Sequence, residues 1–203
     1  HFTDRRQRQM CIRDRINQNG PELGSHWDML HQSPFSVGIA AERNNIYWLF
    51  DGFHNTIAKY NFQDPHPDHE HGGEDHSDGI IYRYDEVVVD RVAGLSSHMA
   101  VDSLNDMLYI CDTGNQRVLR VHINSGEIGS ILDPYGENIE GYYSMINADF
   151  ETVIDSGLVL PTGIDIYNTF LLVSDYSTGE IFIYDLQVPN QFQLIHTLET
   201  GIV

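Results

Sequence analysis

Residues 64–78 read DPHPDHEHGGEDHSD and gather four histidines with six carboxylates. His66, His69, His71 and His76 offer imidazole nitrogens, which suit zinc, copper or nickel, while Glu74, Asp75 and Asp78 offer the hard oxygens that calcium prefers. Two prolines and three nearby glycines exclude a helix, so HGGEDH cannot act as a helical zinc motif, whose ligands share one helix face. The alternating oxygen ligands of an EF-hand are also absent. Two readings stay open for this stretch: a divalent-metal loop holding zinc or calcium, or a hydrated insertion between two strands.

Outside that loop the chemically able residues are sparse. His54 and His98 are isolated imidazoles. Asp51, Asp112 and Asp175 recur at spacings of 61 and 63, each beside a turn with glycine nearby, which fits side chains that accept backbone N–H bonds and hold the turn. Cys111 sits within an apolar run and reads as an inert core thiol. There is no nucleophile elbow, no phosphate-binding glycine loop and no C-x-x-C. Tyr47, Trp48 and Met99 read as packing residues.

The elements that must position these residues are repeated. Val37 to Phe62, His98 to Ile123 and Thr162 to Leu186 align without strain, and a β-branched residue (Ile57, Val118, Ile181) follows each aspartate by six. The runs Ile46-YWLF, Leu108-YIC and Phe170-LLV are short and almost continuously apolar, as strands buried on both faces must be. Asn, Asp and Gly clusters bound them, which favours strand over helix. Fourth strands are predicted at Ile80-IYRY, Glu127-IGSIL and Gln193-LIHTL, and a short helix near Tyr143–Phe150. Four antiparallel strands per unit, unable to cover their own apolar faces, must stack on neighbours as propeller blades do.

The stretch Cys111-DTGNQRVLRV resembles the NHL-type repeat, and Pro161-TGIDI resembles that family's innermost strand. Asp51-GFHNTI departs from the Asn-Arg-Val core. The resemblance covers about 38–203 and implies an all-β, NHL-type β-propeller with about three four-stranded blades of an incomplete, six-bladed ring. The expected divisions are a leading segment at 16–36, a blade at 37–97 with the insertion 64–78, a blade at 98–161 with an insertion at 133–158, and a C-terminally truncated blade at 162–203. By that analogy His98 precedes an innermost strand and His54 lies in a turn on the same face, so both are expected at the channel mouth. The related peptidyl-hydroxyglycine lyases hold zinc there with histidines from several blades. This makes His98 a candidate metal ligand, although three or four ligands are needed and the equivalent positions are Val37 and Thr162.

Charge narrows the partners. Against 30 acidic residues stand 11 basic ones, a net charge of -19, which argues against nucleic acid because phosphate binding needs a basic face. No apolar run is long enough to span a bilayer as a helix. Residues 1–15, HFTDRRQRQMCIRDR, carry five of the eleven basic residues and resemble a translated sequencing adapter, so they are set aside from fold reasoning. The true N-terminus is then expected to be missing. The expected protein is a bacterial, metagenomic NHL-repeat fragment, periplasmic or extracellular. It is read as a scaffold for a small molecule or protein at the propeller mouth, and the alternative is a metal-dependent enzyme, lyase-like or lactonase-like, with a channel metal.

Overall fold

A computed structural model of the chain describes residues 32–63, 79–135, 139–187 and 192–201. Among these residues there is no α-helix, and none that is long and apolar enough to cross a membrane. The first repeat folds as β1 (Ser36–Ala41), β2 (Ile46–Asp51), β3 (Thr56–Asn61) and β4 (Ile80–Tyr84). The second supplies β5 (Met99–Asp102), β6 (Met107–Asp112) and β7 (Arg117–His122), followed by β8 (Glu127–Ile131), β9 (Gly141–Ile146) and β10 (Phe150–Ile154). The third gives β11 (Pro161–Tyr167), β12 (Phe170–Asp175), β13 (Glu180–Asp185) and β14 (Gln193–Glu199).

Neighbouring strands within each repeat pair antiparallel through tight turns. Asn44, Asn45, Asn55, Asp106 and Asn168 take φ between 54° and 60° at or beside these turns, the left-handed region that short polar side chains tolerate best. Alternation then sets the packing. Trp48, Phe50 and Ile57 leave one face of the first sheet to meet Leu108, Ile110, Leu119 and Val121 of the second. Tyr109, Cys111 and Val118, from the opposite face of the second sheet, meet Leu171, Val173, Phe182 and Tyr184 of the third. The middle sheet is therefore buried on both faces, as its continuous apolar runs require.

The innermost strands converge. β5 packs against both β1 and β11; the Ser97 N–H donates to the Val37 carbonyl at 3.0 Å and the His98 N–H to the Thr162 carbonyl at 2.9 Å. A Cβ on Gly38 would lie 1.9 Å from the Ser97 carbonyl oxygen, so only glycine admits this approach. Antiparallel four-stranded sheets stacked face to face about convergent inner strands make this a β-propeller architecture.

Two sequence expectations give way. Glu127–Ile131 is not the fourth strand of the second sheet: β8 pairs with β9, β9 pairs parallel with β4, and the first sheet becomes six-stranded in the order β1-β2-β3-β4-β9-β8. The fourth strand of the second sheet is β10, with Phe150 opposite Val121. Gly126, at φ 91°, redirects the chain after β7 where an L-residue would be strained. The helix expected near Tyr143–Phe150 is instead two strands broken at Asn147, φ 57°. The segment's aromatic and aliphatic residues fit a helical period, but Tyr142 and Ser144 bury alternately, and pairing with β4 and β8 overrides local propensity.

Candidate functional site

The repeated aspartates are turn residues, and each is buried. Asp51 Oδ1 accepts the Phe53 and His54 N–H groups at 3.0 and 3.1 Å. Asp112 accepts the Asp90 N–H at 2.7 Å, the Asn115 side-chain amide at 2.9 Å and Arg117 Nε at 2.7 Å. Asp175 accepts four backbone N–H groups, from Val159, Leu160, Ser177 and Thr178. Two of these residues thus tie their turn to the incoming segment that feeds the innermost strand. Thr113 adds a second tie, accepting from Ser97 Oγ and donating to the Pro161 carbonyl, both at 2.6 Å.

The first sheet differs at this point. Asp51 Oδ2 lies 2.7 Å from His54 Nδ1, so Nδ1 donates to the carboxylate and the ring is held in one orientation. The His54 ring stands edge-on to Phe53 at 4.9 Å. Both residues line a cleft of about 750 Å3 with Phe35, Leu132, Tyr135 and Tyr142 as its other principal walls. Phe35 and Phe53 are mostly exposed, as is Tyr135; exposed aromatics in a concave, mainly apolar site are what ligand pockets are built from.

Hydrogen bonds set the frame of the cleft. The Gln32 amide donates to the Tyr135 carbonyl and accepts its N–H, both at 2.8 Å. Tyr60 donates to Ser33 Oγ at 2.8 Å. Arg83, also lining the cleft, donates to Asp85 at 2.6 Å and to the Tyr142 hydroxyl at 3.0 Å. Burial raises the Tyr142 hydroxyl above the usual phenol range, and Arg83 opposes that rise, so the group is a neutral O–H donor.

His98 is exposed. Its backbone is held at the convergence of the inner strands, with its carbonyl accepting the Cys111 N–H at 3.0 Å, but it is not among the residues lining the cleft beside His54. Among the described residues no group of three or more histidine, cysteine or acidic side chains converges as a metal site. His66, His69, His71, Glu74, Asp75, His76 and Asp78 lie outside the described residues. Cys111 is buried and in contact with the Gly163 carbonyl at 3.5 Å; burial, reinforced by Asp175 and Asp112, pushes its thiol far above the reactive range.

His54 was identifiable from the sequence, but the rest of the cleft was not. Its walls come from 32–36, from the β2–β3 turn, from β4 and from Leu132, Asp133, Tyr135 and Tyr142, and the unforeseen return of β9 to β4 brings the last group there. Tyr135, Tyr142 and Tyr143, close together in the sequence, are the signal that could have pointed to it.

No family model matches the chain, and no curated protein does. Among solved structures, a protein from Lactobacillus plantarum is similar with a TM-score of 0.44 and 15% identity, covering 81% of this chain and 42% of that one. This chain thus spans about two fifths of that protein's length. A nidogen/laminin complex is similar with a TM-score of 0.27 and 14% identity, covering 83% of this chain and 81% of that one.

Proposed function

We propose that the chain is a ligand-binding scaffold of NHL-repeat type whose ligand occupies the aromatic cleft beside His54. The observation that carries this reading is the cleft itself. Apolar walls, an imidazole oriented by a buried carboxylate and a neutral tyrosine O–H are set on a hydrogen-bonded frame. The neutral dye phenylnaphthylamine, bright only in apolar surroundings, tests the reading. It should bind the protein and lose most of its signal in Phe53→Ala combined with Tyr135→Ala. An unchanged signal in that variant would place binding elsewhere.

The 64–78 loop is proposed as a separate divalent-metal site on its composition of four histidines and six carboxylates. Bound zinc, measured by elemental analysis after dialysis, should fall when His66, His69, His71 and His76 are all replaced by Ala. Equal metal content would leave the loop as a hydrated connection.

A further inference from the structure

In a chain with 30 acids and 11 bases, a basic side chain rarely lacks an acidic neighbour. Among the described residues Arg43 pairs with Asp106, Lys59 with Glu42, Arg83 with Asp85, Arg117 with Asp112 and Arg120 with Glu151. Arg91 has no such partner there. The carboxylate next to it in sequence, Asp90, packs against Gly114 instead. Among the described residues, contacts other than an ion pair hold Arg91 in place.

Two contacts do so. Arg91 Nε donates to the Gly52 carbonyl at 3.2 Å, and the guanidinium lies over the Phe35 ring, 4.8 Å from its centroid. A Cβ on Gly52 would stand 2.3 Å from Arg91 Cδ and 2.5 Å from the Phe35 carbonyl oxygen, so glycine makes room for this stack. Phe35 itself adopts φ 60° and is 62% exposed, an outlier conformation for a bulky residue and one that functional sites tend to retain. Stem, Nε and ring plane are therefore fixed, while the two terminal nitrogens donate to no acceptor among the described residues. That planar fork matches a carboxylate in both spacing and charge, and it stacks on an aromatic that lines the cleft.

We infer that Arg91 is the anion receptor at the lip of the cleft, and that the ligand is a carboxylate joined to an aromatic or branched apolar body. The apolar body fills the walls formed by Phe35, Phe53, Tyr135 and Tyr142; the carboxylate takes the Arg91 fork. This rests on the cleft being the binding site, and it commits that site to an acid rather than to a neutral or cationic guest.

The test compares phenylpropanoate with its amide by titration calorimetry at low salt, on the wild type, Arg91→Gln and Arg91→Lys. The acid should bind the wild type roughly tenfold or more tightly than the amide, the worth of one charge-assisted bond. Arg91→Gln should abolish that preference, and Arg91→Lys should restore only part of it because the fork is lost. A blocked peptide ending in a phenylalanine carboxylate forms a third arm. Tighter binding of this peptide than of the free acid would support the same receptor and identify a chain terminus as the source of the carboxylate. Equal affinity of acid and amide for the wild type would overturn the inference while leaving the cleft reading intact, provided phenylnaphthylamine still binds. Failure of all of these probes to bind would sink both.

Discussion

Asp51, Asp112 and Asp175 occupy one position in three repeats, yet the partners that satisfy them differ, and so must the cost of altering them. Asp112 neutralises Arg117 and accepts from Asp90 and Asn115; Asp112→Asn leaves a half-buried guanidinium without its carboxylate, held by the Val88 carbonyl, and turns an amide N–H toward other donors. We expect a loss of about 3 kcal/mol, within the range for breaking a buried pair, read from urea unfolding. Asp51→Asn should cost nearer 1 kcal/mol, because the new amide still accepts at Oδ1 and the His54 ring can change tautomer. Equal costs would show that the turn alone, and not its charge partner, sets the energy. Tyr184 bears on alkaline stability. It is buried between the second and third sheets, and burial pushes its hydroxyl up to about 12. An unfolded tyrosine ionises near pH 10, so above that pH the unfolded chain releases a proton the folded chain retains. Stability is then fully present below about pH 10 and falls as pH rises toward 12. Urea midpoints taken between about pH 8 and about pH 11 should decline, and Tyr184→Phe should flatten the decline.

Strand placement depends on a few close approaches that no side-chain pattern encodes. Gly38 lies where β1 meets the segment entering β5, and the Ser97 carbonyl oxygen would stand 1.9 Å from an added Cβ. Backbone, not a flexible side-chain end, occupies that space, so Gly38→Ala must push the first and second sheets apart. A loss of about 3 kcal/mol is expected, the upper end for overpacking. Gly94→Ala meets nothing within 4 Å at φ 82° and should cost about 1 kcal/mol from backbone strain alone. Differential scanning of the two variants separates steric from conformational cost. The same distinction explains what the sequence could disclose. The short apolar runs and the recurrent aspartates made the three-stranded cores of all three sheets readable, because nearly continuous burial marks β2 and β6. By contrast β12, apolar in sequence at Phe170 to Val173, alternates buried and half-buried residues because one face of the third sheet lacks a packed neighbour among the described residues. The β8–β9 hairpin left no such mark. All of β8 is exposed, and its partner was decided by β9 pairing with β4 some sixty residues earlier. The cleft was hidden for the same reason, since Leu132, Tyr135 and Tyr142 reach His54 only through that pairing.

At the largest scale, the sheets of the described residues form a linear stack in which the middle one packs against both others. The first and second sheets share one core and the second and third another. Stacked units of this kind behave as a chain of nearest-neighbour couplings, so damage at an end stays local while damage in the middle spreads. Ile110 and Leu171 are both fully buried, Ile110 between the first two sheets and Leu171 between the last two, and truncating either to Ala should cost about 3 kcal/mol. Their consequences for local opening should nonetheless differ. Native-state hydrogen exchange on Leu171→Ala should accelerate amides of β11 to β14 and leave β2 and β3 protected. In Ile110→Ala, acceleration should appear in β2 and β3 as well as in β6 and β7, because the face that seals the first sheet is breached. Uniform acceleration across every strand in both variants would mean that the sheets open as one cooperative unit, and the nearest-neighbour picture would fail. Protection that survives in the third sheet of Ile110→Ala, with the first sheet lost, would fix the second core as the stronger coupling.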